Sequence, residues 1–347
     1  MKMSELGFRG KEHFFSINDF NREELELILY TAEILHSYSG GGNKLPILNG
    51  YILDPVFFEH STRTLHSTIA AMETMGGSCL PPLMEVYSSR MKGESKLDTL
   101  VALSQDCDII AIRDKTPDTM QEYMKLPKRH NLVPLVNCGS GSYEHPTQCV
   151  TDLRTIKKHL GTLDDLVVII SGDLKYGRVP HSLIYGLRKF SNNKIIGFPV
   201  KDLGLGDKYK FEGYEQHDIS KLKDFVKEIP QNLNVVFYIT RIQWERVAQE
   251  RYPDFDQFGQ EKKEEIRREI QFKEYFYDTT EEIMDNTPKN TIGLHALPRG
   301  PELTDELFFY HPKIVAIDQM RNSLPARMSI FGNILGKTSD ILEYASK

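Results

Sequence analysis

What most constrains the fold of this chain is an alternation. Between Tyr51 and Thr240, short runs rich in Val, Ile, Leu and Phe (51–58, 108–112, 132–136, 166–171, 194–200 and 235–240) are separated by stretches of helical character (62–75, 117–125, 147–160 and 179–190). Runs of this kind read as strands buried on both faces. Such strands alternating with helices form parallel sheets wound with helices on both sides. At 347 residues the chain is long enough for two domains of ordinary size. The expectation is therefore an α/β fold of two doubly wound parallel-sheet domains, one over 1–150 and one over 151–322. The interdomain connection falls near 145–160, in the helix after His145-Pro146. The tail 323–347 also has helical character and is expected to return to the first domain.

Other segments read more locally. Asn21 followed three residues later by Glu24 is a capping signal for an amphipathic helix reaching about Ser37, and Gly40-Gly41-Gly42-Asn43 is a turn. The block 260–274 carries Glu264/Arg268 and Glu269/Lys273 four residues apart, which predicts a solvated surface helix.

Composition removes several classes of function. No apolar run approaches the roughly 20 residues of a membrane helix. The start, Met1-Lys-Met-Ser-Glu-Leu-Gly-Phe-Arg9, lacks the apolar core of a signal peptide, so a cytoplasmic location is expected. Cys79, Cys107, Cys138 and Cys149 show no paired spacing, which argues for reduced thiols and against a zinc site. A net charge of -6 without a basic block disfavours nucleic acid as a partner. An anionic ligand would have to be held by local clusters.

Those clusters stand where a doubly wound sheet binds its ligands, just past the carboxyl ends of the strands. After 51–58 come Ser61, Thr62, Arg63 and Thr64. After 108–112 comes Arg113, and after 132–136 come His145 and Gln148. After 166–171 comes Gly172-Asp-Leu-Lys175-Tyr-Gly-Arg178, and after 235–240 come Arg241 and Gln243. Hydroxyls, a guanidinium and the N–H groups of a helix's first turn make an anion cradle. Taken alone, Ser61-Thr62-Arg63-Thr64 is equally well an ordinary helix N-cap. Each arginine alone could be a structural ion pair, and His145 a plain residue before a proline. Recurrence at equivalent strand ends is what marks a site. Familiar alternatives fail on detail. Gly172-x4-Gly177-Arg178 lacks the Lys-Ser/Thr of a P-loop, Gly204-Leu-Gly206 has Tyr209 in place of a third glycine, and no G-x-S-x-G elbow occurs.

The motifs Phe58-Glu-His-Ser-Thr-Arg-Thr64, Lys92-Gly-Glu-Ser95, Arg113, His145-Pro-Thr-Gln148, Gly172–Arg178, Thr240-Arg-Ile-Gln243 and His295-Ala-Leu-Pro-Arg299 resemble the aspartate/ornithine carbamoyltransferase family, in order and over most of the chain. Gly172–Arg178 and Thr240–Gln243 resemble its aspartate branch. The resemblance implies transfer of a carbamoyl group from carbamoyl phosphate to L-aspartate for pyrimidine synthesis. It assigns Ser61, Thr62, Arg63, Thr64 and Arg113 to the phosphate. Thr64, Arg113 and His145 fall to the carbonyl oxygen, and Gln148 with Leu297 and Pro298 to the carbamoyl amide. Arg178, Arg241 and Gln243 take the acceptor's carboxylates. Ser88 and Lys92 match loop residues that reach a neighbouring subunit's site, which implies a homotrimer with shared sites; regulatory chains stay open. No metal or organic cofactor is implied.

Departures from the pattern keep two alternatives in view. Leu65 and Ile69 stand where the family usually has an Arg and a Glu, Ala296 replaces a proline, and the stretch between Arg241 and His295 is longer than expected. Another acceptor, ornithine or an acylated ornithine, or an inactive structural or regulatory homologue would also carry such changes.

Overall fold

A computed structural model describes residues 12–39, 45–84 and 93–345. Its contacts divide the chain into two compact units. One holds the described residues up to Arg154 together with those from Arg321 onward, and the other is Thr155–Met320.

The first unit is built on β1 (Ile52–Phe57), β2 (Ser78–Cys79), β3 (Leu83–Met84), β4 (Ile109–Asp114) and β5 (Leu135–Ser140). All pairings are parallel. β4 lies along one edge of β1, β2 and β3 pair with successive parts of β1, and β5 extends the sheet beyond β4. The chain leaves β1 toward β2 and β3 and then returns to its other side, so the strand order reverses at β1. The expected strand at 132–136 begins later, after Pro134, which has no N–H to give a ladder. Val56, Phe58, Ile110, Ile112 and Leu135 pack with Leu100, Met120 and Tyr123 into one core.

Asn21 caps the helix Arg22–His36 reciprocally. Its Oδ1 accepts from Glu24 N–H at 2.9 Å, and its own N–H donates to Glu24 Oε2 at 2.8 Å. This helix packs against Ser323–Ile334, which also meets the helix Thr62–Thr74. Thr31 Oγ1 lies 2.7 Å from Ser329 Oγ, and Asn333 Nδ2 donates to Thr31 Oγ1 at 2.9 Å. The tail is two helices, not one, because Gly336 at φ 72° ends the first before Thr338–Tyr344 begins.

The second unit holds β6 (Leu166–Gly172), β7 (Lys194–Pro199), β8 (Glu215–Gln216), β9 (Asn234–Ile239) and β10 (Thr291–Leu294), in the order β10-β9-β6-β7-β8 and all parallel. Here the order reverses at β6, between β7 and β9. The two outermost strands are short, and β10 carries Gly293, so neither has the long apolar run of its neighbours.

The charged block differs from the solvated helix expected. Glu261, Lys262 and Glu265 are exposed, yet Ile266 and Ile270 are buried in the second core with Phe237, Ile239 and Phe255. The α-helix Gln260–Glu269 passes into a π-helical turn, Ile270–Glu274, held by Arg251 Nη1 and Nη2 on the Glu274 carboxylate at 2.6 and 2.7 Å. Lys273 pairs with Glu269 at 3.0 Å, as spacing predicts, while Glu264 pairs with Arg267 instead of Arg268.

Candidate active site

In the first unit the reversal at β1 sets the chain end of β1 beside that of β4. Phe57 is the register partner of Arg113, and Phe58 N–H donates to Arg113 O at 2.9 Å. The chain therefore delivers Ser61–Thr64 and Arg113 to the same end of the sheet. Ser61 is the N-cap of Thr62–Thr74, but its side chain makes no capping hydrogen bond. The ordinary N-cap explanation of these hydroxyls is thus not the one the fold uses. Thr62 and Arg63 are exposed, while Thr64 is buried. The guanidinium of Arg113 is also buried, donating to Cys138 O and Glu59 Oε1, both at 3.4 Å. These are long for charge-assisted bonds.

β5 brings the third strand end. His145 is buried just ahead of the helix Pro146–Leu160, with Nδ1 3.3 Å from Thr147 Oγ1. Gln148 donates through Nε2 to Asp152 at 2.8 Å, one turn along. Arg327, fully buried, donates to Thr147 Oγ1 at 3.4 Å and to Ser323 O at 3.1 Å, fixing the start of this helix against the returning tail. Leu65 and Ile69, the departures on the cradle helix, are half-buried.

In the second unit the reversal at β6 sets the ends of β6 and β9 side by side. Gly172 is at φ 104°, and a Cβ there would collide with the Thr240 carbonyl and the Tyr277 hydroxyl, so only glycine fits. Asp173 is fully buried between the two loops. Its Oδ1 accepts from Tyr176 N–H at 2.9 Å and its Oδ2 from Gln243 N–H at 3.0 Å. Burial dominates over these hydrogen bonds and pushes its carboxyl up to about 7. Thr240 Oγ1 donates to Ser171 O at 2.7 Å and accepts from Asp173 N–H at 2.8 Å.

The loops so fixed carry the cationic groups. Arg178 opens the helix Arg178–Leu187 and is half-buried. Arg241 forms a two-pronged pair with Glu245 one turn on, with Nη1 to Oε2 at 3.0 Å. Gln243 is half-buried beside it, and Lys175 pairs with Glu250 at 3.0 Å. Leu297 and Pro298 lie in this unit, after β10. Their peptide bond is cis and Leu297 has φ 61°. His295 supports that turn: Nδ1 accepts Leu297 N–H at 2.9 Å, so Nε2 carries the proton and donates to Glu302 at 3.0 Å. Ser88 and Lys92 lie outside the described residues. Asp173, Glu245, Tyr277, the His295–Glu302 pair and Arg327 were not among the expected site residues; only the four-residue spacing of Arg241 and Glu245 offered a signal in the sequence.

The first unit thus gathers hydroxyls and arginines at one end of its sheet, and the second gathers Arg178 and Arg241 on loops at one end of its own. Two doubly wound sheets, each with polar groups gathered at its reversal point, define an α/β enzyme for small anionic substrates. The comparisons with known proteins give the particular family. The model described as aspartate/ornithine carbamoyltransferase, carbamoyl-P binding domain, matches residues 12–158. The model described as the Asp/Orn binding domain of the same family matches 164–334. The aspartate carbamoyltransferase catalytic subunit of Archaeoglobus fulgidus is 33% identical over 329 residues, covering 93% of this chain and 99% of its own. That of Picrophilus torridus is 34% identical over 327 residues, covering 92% and 97%. A crystal structure of aspartate transcarbamoylase from Trypanosoma cruzi with carbamoyl phosphate superposes with a TM-score of 0.77 at 27% identity, covering 94% of this chain and 95% of that one. The chain belongs to the aspartate/ornithine carbamoyltransferase family.

Proposed function

We infer that this protein transfers the carbamoyl group of carbamoyl phosphate to the amino group of L-aspartate, a step of pyrimidine biosynthesis. The observation that carries the reading is the helix start at Ser61–Thr64, where Ser61 makes no capping hydrogen bond, beside Arg113, matched in the second unit by Arg178, Arg241 and Gln243 on loops locked by Asp173. Relatives named for this activity support it, including T. cruzi structures solved with carbamoyl phosphate, with aspartate, and with N-(phosphonacetyl)-L-aspartic acid.

In this reading Ser61, Thr62, Arg63, Thr64 and Arg113 hold the phosphate. Thr64, Arg113 and His145 donate to the carbonyl oxygen as charge develops on it, while Gln148 and the carbonyl of Leu297 next to Pro298 orient the carbamoyl amide. Arg178, Arg241 and Gln243 hold the two carboxylates of aspartate. The aspartate nitrogen forms a bond to the carbamoyl carbon and gives up a proton, which the departing phosphate takes. The bond from that carbon to the phosphate oxygen breaks, and N-carbamoyl-L-aspartate and phosphate are released. The chain's contribution is positioning and electrostatics. Ser88 and Lys92 serve a neighbouring subunit's site in a cytoplasmic homotrimer.

The test is phosphate release from carbamoyl phosphate with L-aspartate, L-ornithine or an N-acylated ornithine offered in parallel. Release with aspartate alone is expected. Release with another amino acid would keep the cradle but overturn the roles of Arg178 and Arg241, and no release at all would favour an inactive homologue.

A further inference from the structure

The stretch between Arg241 and His295 sends one side chain back into the acceptor loops. Tyr277 follows the π-helical turn and belongs to the second core, where it is buried. Its hydroxyl donates to the carbonyl of Thr240, the residue before Arg241, and lies 3.3 Å from the carbonyl of Ser171. It therefore ties the end of β6 to the end of β9 at the reversal point, on the backbone between Asp173 and Arg241. The glycine at 172 is the complementary feature, because a side chain there would occupy the space of the Tyr277 hydroxyl. Burial, followed by the charge of Glu302, holds the phenol well above its ordinary titration range, so the O–H remains a donor at all working pH values.

We propose that Tyr277 is a positioning residue for the acceptor, its hydroxyl fixing the Thr240–Arg241 peptide so that Arg241 and Gln243 meet a carboxylate already oriented. Loss of this hydroxyl takes from the buried Thr240 carbonyl its Tyr277 donor, while Ser171 O keeps the Thr240 hydroxyl; the loop can then shift, and the phosphate cradle in the other unit keeps every partner it has. The inference rests on the aspartate reading above.

Tyr277→Phe and Tyr277→Met are compared with the parent chain and with Tyr123→Phe, which removes the hydroxyl of another buried tyrosine, bonded to Val133 O in the first unit. Both variants at 277 are expected to raise the KM for L-aspartate about tenfold, and to weaken N-(phosphonacetyl)-L-aspartate to a similar degree, with the KM for carbamoyl phosphate within about twofold of the parent. Tyr123→Phe should leave the aspartate KM unchanged. Equal aspartate KM values in the parent and in a folded variant at 277, or equal shifts for both substrates, would overturn the inference. A parent chain inactive with aspartate would instead overturn the aspartate reading itself.

Discussion

Arginine side chains divide here according to what already holds them. Arg251 is closed into two short bonds with Glu274, whereas Arg113 reaches Cys138 O and Glu59 Oε1 at 3.4 Å and Arg63 is exposed at a helix start. In the proposed reading both donate to the ligand phosphate. Each charged hydrogen bond of this kind is worth roughly 1.5–3 kcal/mol. Arg63→Ala is therefore expected to lower kcat/KM for carbamoyl phosphate by at least about tenfold with little change in melting temperature, measured by steady-state kinetics and calorimetry. Asp173 gives a second prediction. Its folded carboxyl titrates near 7, above the ordinary carboxylate range, so the folded state binds this proton more tightly than the unfolded chain does. Its contribution to stability is full below about pH 4 and declines as pH rises toward 7. The stability difference between the parent and Asp173→Asn should shrink across that window in denaturant titrations; a constant difference would show that Asp173 does not titrate there. The arginines proposed for the site were legible in the sequence because they follow apolar runs. Asp173, Tyr277 and Glu302 were not, since their meaning lies in partners such as Gln243 and Thr240 that come from other elements.

Single elements report how far local rules carry. The parallel sheets were readable because β1, β4, β6, β7 and β9 are nearly continuous apolar runs, the mark of strands covered on both faces. β8 and β10 escaped notice for the opposite reason, being two and four residues long. The charged block misled because polar residues dominate its composition, while Ile266 and Ile270 decide its packing. The cap at Asn21 was readable in full, and it allows a clean test. Asn21→Ala removes the side-chain arm of the box and should cost about 1 kcal/mol in chemical denaturation without altering kinetics. Gly172→Ala is the harsher change. It combines a left-handed backbone with a collision against two elements, and should cost roughly 1–3 kcal/mol and raise the aspartate KM.

For the whole molecule, the proposed sharing of sites predicts complementation. Arg63→Ala and Lys92→Ala chains, each impaired alone, should gain activity when dissociated together and reassembled, as judged by phosphate release. Failure to gain it, with both chains trimeric, would remove Lys92 from a neighbour's site. A different consequence follows from the way the first unit is assembled from separate stretches of chain. The face of Arg22–His36 that carries Leu27, Ile28 and Leu35 is buried against Ser323–Ile334, which the ribosome delivers only after every residue of the second unit. During synthesis the part begun first is completed last, and its apolar helix faces must wait exposed while the other unit forms. Nascent chains of this protein should therefore gain protease resistance in Thr155–Met320 before they gain it in the residues that precede it.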